Sequence, residues 1–154
     1  MSIEDKLEAL GSRLPPAPVP VASYVPAVRT GNLIFTSGQI PMEGGQLLCK
    51  GQVDQEIGEE DARAAARLAA LNCLSVIKSV IGNLDRIVRV IKLTGFVNST
   101  PGYVGQSGVV NGASDFLLEV FGEAGHHARS TVGVPGLPLG AAVEIEMIVE
   151  VSGS

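Results

Sequence analysis

Arg129 opens a strand-like run and stands between Ala128 and Ser130. A guanidinium there is either a surface charge or a fork that holds a carboxylate through two parallel hydrogen bonds. Glu144 and Glu146 interrupt an otherwise apolar stretch. They mark either a solvated sheet face or carboxylates poised to orient a water and shuttle a proton. His126 and His127 are adjacent, so as strand residues they point to opposite faces and are poorly placed to share one metal ion. They read as rim residues before a strand, or as a polar element near a site. Cys73 falls on an apolar helical stripe and reads as core. Cys49 lies near Lys50, where a lowered thiol pKa and a bland, partly buried thiol are both open.

The chain lacks the phosphate-binding G-x-x-x-x-G-K-[ST], the G-x-G-x-x-G turn and Cys-x-x-Cys. Gly105-Gln106-Ser107-Gly108 approximates a nucleophile elbow but has the wrong spacing, and reads as a turn. No metal and no cofactor is called for.

The elements that must position these groups follow from periodicity. Ile3 to Leu10 reads as a short helix capped by Ser2 and stopped by Gly11. Pro15, Pro16, Pro18 and Pro20 then impose an extended arm. Tyr24 to Thr30 and Leu33 to Gln39 read as two strands joined by Gly31-Asn32. Gly44-Gly45 leads to a third strand at Gln46 to Cys49, completing a meander. Glu59 to Ile81 carries a stripe of Ala62, Ala66, Ala69, Cys73, Val76, Ile77 and Val80 at helical spacing, with acids in its first turn. Leu84 to Val97 is a β-branched strand, 98–108 a loop, and Val109 to Phe121 a second amphipathic helix. Ala128 to Val134 is a strand. Ala142 to Val151 alternates most cleanly: Val143, Ile145, Met147, Val149 and Val151 share one face. The order β-β-β-α-β-α-β-β predicts an α+β fold, one mixed sheet with two helices on one face. The other face is either wet or meets another subunit.

Length and composition bound the function. At 154 residues one domain is expected, with 45% hydrophobic and 18% charged residues. The formal charge, 11 − 16 = −5, comes without a Lys/Arg stripe and argues against a nucleic-acid partner. No apolar run approaches the ~20 residues of a membrane span, and the N-terminus lacks a secretory pattern. Two unrelated cysteines fit a reducing, cytoplasmic setting.

Two distant motifs occur in order. Tyr24 precedes Gly31-Asn32-Leu33-Ile34-Phe35-Thr36-Ser37-Gly38-Gln39-Ile40-Pro41. Ala128-Arg129-Ser130-Thr131-Val132 precedes Leu137-Pro138 and Val143-Glu144-Ile145-Glu146-Met147. Together they resemble the Rid (YjgF, L-PSP endoribonuclease-like) family over roughly Tyr24 to Val151. The resemblance divides the chain into an N-terminal helix and Pro-rich arm, 1–22, and a family domain, 23–154. It implies a chorismate-mutase-like fold in a homotrimer whose sheets form a central barrel, with sites in clefts between subunits.

It also implies enamine/imine deaminase activity, releasing 2-keto acids and ammonia from reactive 2-imino acids without a cofactor. Arg129 then matches the carboxylate-binding arginine, and Glu144 the glutamate near the attacking water. Tyr24, Ser37, Gly38, Asn111 and Thr131 match other pocket positions. Thr131 stands where many members carry cysteine, and His127 where a proline often precedes the Ala-Arg pair. The loop at 98–108 is longer than in typical members. A non-catalytic carboxylate-binding or chaperone-like trimer is the alternative. The ribonuclease label fits the charge poorly.

Overall fold

Ser2 and Asp5 close a capping box, each backbone N–H donating to the other side chain at 3.0 Å, and so start helix α1 (Ile3–Ala9). The computed structural model describes residues 1–17, 19 and 22–153. Of the proline arm, Pro15 and Pro16 run without helix or strand, while Pro18 and Pro20 lie outside the described residues. Strands β1 (Ala27–Thr30) and β2 (Leu33–Thr36) form the predicted hairpin. They are followed by β3 (Met42–Glu43), β4 (Gln46–Leu47) and helix α2 (Glu59–Ile81). Then come β5 (Ile87–Asn98), α3 (Gln106–Phe121), β6 (Ala128–Val134) and β7 (Val143–Val151).

The main sheet has the order β1-β2-β7-β5-β6. All neighbours are antiparallel except β5 and β6, whose parallel pairing is bridged by α3. α2 and α3 pack together and cover one face of it. The inward residues of β7, Val143 to Val151 at every second position, are fully or almost fully buried against this layer, as the alternation predicts.

The third strand departs from expectation. Residues 46–49 do not extend the meander, because β2 already has β1 on one edge and β7 on the other. Gly44 and Gly45, at φ 59° and 78°, instead fold Gln46–Leu47 back onto Met42–Glu43 as a separate two-stranded ribbon. β1 begins at Ala27, so Tyr24 lies in the preceding bend. β2 ends at Thr36, and Ser37 and Gly38 peel away before Gln39 bridges to Ile145. Leu84–Arg86 form a 3₁₀ turn, capped by the Asn83 side chain, before β5. α3 begins at Gln106, so the Gly105–Gly108 segment is the entry to a helix rather than a turn. Val80, counted with the α2 stripe, is 41% exposed at its overhanging last turn.

α2 has the length and hydropathy of a membrane span, but 67% of its most apolar window is buried within this fold. It crosses α3 closely enough that a Cβ at Gly112 would run into the Arg63 backbone carbonyl. Backbone on both sides leaves little room for relief. Gly112→Ala should therefore cost about 2–3 kcal/mol and lower Tm by roughly 5–10 °C. Gly136→Ala, whose methyl meets nothing within 4 Å, should leave the calorimetric Tm nearly unchanged. Equal transitions for the two variants would refute the close-crossing account.

Candidate active site

Glu144 stands on the uncovered face of β7, half-buried, next to the point where β2 peels away. Its carboxylate lies across Gly38: a Cβ there would sit 2.6 Å from Oε2 and 2.7 Å from Cδ. Any side chain at this position would have to push the glutamate carboxylate aside, so glycine lets the two sit together. Ser37 is fixed from both ends, its N–H donating to Pro26 O at 2.7 Å and its hydroxyl to Val25 O at 2.6 Å. These bonds bring the bend carrying Tyr24 beside Gly38. Tyr24, Pro26, Ser37, Gly38, Ile40 and Glu144 line a cavity of about 520 Å³. The Gly38 N–H has no hydrogen-bond partner among the described residues and is available to a ligand.

Asn72, on α2, supports this wall and escaped the sequence reading. Its side-chain amide donates to the carbonyls of Ile40 and Met42 at 3.1 and 3.0 Å. A lone asparagine inside an apolar helical stretch was the available signal, since buried amides are kept where they hold backbone.

Burial raises the Glu144 carboxyl above its usual pKa of 4.5, and the neighbouring Glu146 charge adds to the shift. A carboxyl raised on folding holds its proton more tightly than in the unfolded chain. Its stabilising contribution is full below the unfolded value and is lost as pH rises through the folded one. Glu144→Gln removes that loss. The variant should gain thermal stability relative to the parent at pH 7, with the gap closing as pH falls through the ordinary carboxylate range. Scans at pH 4 and pH 7 that show the same difference would contradict the assignment.

Arg129 belongs to a second group. It faces the helix layer from the edge strand β6, opposite Leu93 of β5. Its Nη1 donates to Asn111 Oδ1 at 2.7 Å and to Ser114 Oγ at 3.2 Å, both on α3. Nε and Nη2 have no partner among the described residues, so one edge of the guanidinium remains open to a planar anion. Thr131, two residues along the same face, lies 3.4 Å from the Ser107 hydroxyl. Asn111 and Ser114, at i and i+3, share the α3 face toward Arg129. Ser114 is the second residue that sequence reasoning missed.

The two groups do not meet within one chain. Arg129 is in register with Met147 through Leu93, on the covered face of the sheet. Glu144 is three residues away along β7, two strands over, and on the opposite face. Strand spacing and rise place their Cα atoms roughly 14 Å apart, with side chains diverging.

Neither thiol supplies a nucleophile. Cys73 is completely buried, which pushes its pKa up to about 12. Burial, reinforced by Asp61, also raises Cys49. Among the described residues no cluster of His, Cys, Asp or Glu could hold a metal ion.

A family model described as "YjgF/chorismate mutase-like, putative endoribonuclease" matches residues 4–151. The chain belongs to the YjgF/Rid family. Protein TCP17 of Trypanosoma cruzi is 45% identical over 147 residues, covering 95% of this chain and 92% of that protein. A 2-iminobutanoate/2-iminopropanoate deaminase of Dermatophagoides farinae is 32% identical over 135 residues, covering 88% and 91%. Among solved structures, the Agrobacterium tumefaciens protein Atu1372, of unknown function, superimposes with TM-score 0.92 at 46% identity, covering 97% of this chain and 92% of that one. The Escherichia coli YjgF product gives TM-score 0.64 at 28% identity, covering 87% and 92%. Within the YjgF/Rid family, this backbone is thus far nearer to Atu1372 than to YjgF.

Proposed function

We propose that this protein is a cytoplasmic, homotrimeric deaminase that hydrolyses small 2-imino acids at clefts between subunits. The observation that carries it is the division of the candidate site: an anion fork on the helix side of the edge strand, and a protonatable carboxylate on the opposite face. An intersubunit cleft joins such halves when Arg129, Asn111 and Thr131 of one subunit face Tyr24, Ser37, Gly38 and Glu144 of the next. The uncovered sheet face supports a second copy as its cover, since Val28, Phe35 and Val132 are 54%, 40% and 45% exposed there. The unpaired edge of β6 also favours a covering neighbour. The deaminase relatives supply the chemistry.

In the proposed reaction the open edge of Arg129 receives the substrate carboxylate side-on. The protonated imine carbon is already electrophilic, so orientation is the main task. Water adds to that carbon, and Glu144 takes a proton from the water. Glu144 then returns the proton to the amino group of the tetrahedral adduct. The C–N bond then breaks and ammonia departs, while the hydroxyl gives its proton to Glu144 and its C–O bond becomes the keto group; the departing ammonia takes that proton and leaves as ammonium. A Glu144 pKa raised by burial holds its proton less loosely than an ordinary carboxylate, which suits a group that both accepts and returns one.

The experiment generates imino acids with an amino-acid oxidase and follows their disappearance spectrophotometrically. Accelerated loss of at least one small, branched or aromatic imino acid is expected. No acceleration across the panel, with trimer verified by sedimentation, would overturn the assignment. Thr131, where many family members carry cysteine, favours one alternative, a trimer that binds small 2-keto acids without turnover. Keto-acid binding with no hydrolysis of any imine would select it.

A further inference from the structure

Beyond the groups assigned to substrate, the structure holds a short relay of hydrogen bonds behind Arg129. His127 Nδ1 lies 2.6 Å from Gly125 O, and its Nε2 lies 2.9 Å from Ser114 Oγ. A backbone carbonyl only accepts, so Nδ1 must carry the proton. In the neutral ring Nε2 is then an acceptor, and the Ser114 hydroxyl must donate to it. That rotamer turns the serine lone pairs toward Arg129 Nη1, 3.2 Å away. The other Nη1 hydrogen goes to Asn111 Oδ1. Each donor and acceptor direction follows from the preceding one. The chain of bonds runs from Arg129 through Ser114 and His127 to Gly125 O.

We infer that His127 and Ser114 are positioning residues that lock the Arg129 guanidinium with its Nε/Nη2 edge outward, so that the protein admits a planar carboxylate only side-on. This rests on Arg129 being the carboxylate anchor. With both Nη1 hydrogens occupied by protein, an end-on carboxylate bridging Nη1 and Nη2 has no room in the donor set. Side-on capture fixes the plane of the carboxylate, and with it the direction in which the adjacent 2-carbon points. The device holds Arg129 in the free protein, so it acts on substrate binding in the ground and transition states alike.

The inference is tested on the full-length protein by two measurements. In ¹⁵N-labelled protein, long-range proton–nitrogen correlations should show His127 as the Nδ1–H tautomer. The Arg129 Nε–H signal should be more mobile in Ser114→Ala than in the parent. In kinetics and in 2-oxobutanoate titrations, Ser114→Ala and His127→Phe should each raise KM and Kd roughly tenfold, with kcat altered less than about twofold. His127→Gln, whose amide oxygen reaches the Nε2 position, should remain within about threefold of the parent. An Nε2–H tautomer, unchanged Arg129 mobility, or a loss confined to kcat would each overturn the inference. If the parent neither binds 2-oxobutanoate nor hydrolyses any imine, the deaminase assignment falls. The tautomer and mobility measurements still decide whether the relay holds Arg129.

Discussion

Arg129→Ala is expected to lower kcat/KM for a small 2-imino acid by about 10³-fold, the counterpart of roughly 4 kcal/mol. The side chain offers two charge-assisted hydrogen bonds from one rigid edge, and among the described residues no other Lys or Arg is hydrogen-bonded to Asn111, Ser114 or His127. Removing it takes away both the attraction and the orientation of the reacting carbon. Arg129→Lys keeps the charge but loses the fork. A lysine ammonium also cannot bond Asn111 and Ser114 while presenting two parallel donors outward, so a loss of about 10²-fold is expected. Both variants should fold, because Arg129 is only part-buried and lies outside the apolar core. Steady-state kinetics with an unchanged circular dichroism spectrum decides the matter. A loss below about threefold in Arg129→Ala would remove this residue from the site.

Legibility in the sequence tracked how local each feature is. The alternation of β7 and the stripe of α2 arise from repeated contact with one surface, so periodicity alone exposed them. Gly31, Gly82 and Gly122 lie at a turn and at two helix ends, where single residues settle the geometry. The third strand failed because pairing is not local. Gln46 to Cys49 has a strand-like composition, but whether it extends the sheet depends on β7, about 100 residues later, taking the edge of β2.

The candidate site shows the same limit. Arg129 and Glu144 drew notice as polar interruptions of apolar strands, and family resemblance gave them roles. The alternation of β7 put Glu144 on the face away from the inward residues, but the face of Arg129 follows from its register with Leu93 and, through it, with Met147, which no residue pattern announced. Ser114 looked like an ordinary polar position, because its bond to His127 exists only once the turn at 122–125 has brought β6 alongside α3. Asn72 left a visible trace, a polar residue in an apolar stretch, but not the identity of the carbonyls it holds.

The proposed sharing of the site between subunits makes subunit mixing the most discriminating experiment. Under the proposed arrangement, Arg129→Ala and Glu144→Gln proteins should each be nearly inactive, every cleft lacking one half. Unfolding them together in equal amounts and refolding should restore activity to about a quarter of the parent level. In a cyclic assembly each cleft draws Arg129 from one subunit and Glu144 from its neighbour. About half the subunits on the first side carry the intact arginine and about half on the second carry the intact glutamate, so about one cleft in four has both. Clefts built within one chain would give no recovery, because no subunit in the mixture carries both residues. A double variant, Arg129→Ala with Glu144→Gln, supplies the second arm. Refolded with an equal amount of parent chains, it should leave about a quarter of clefts intact under the intersubunit arrangement, against about half if each chain worked alone. The two mixtures thus yield equal activities for a shared site and sharply unequal ones for a private site, independent of how active the parent is on the chosen imine.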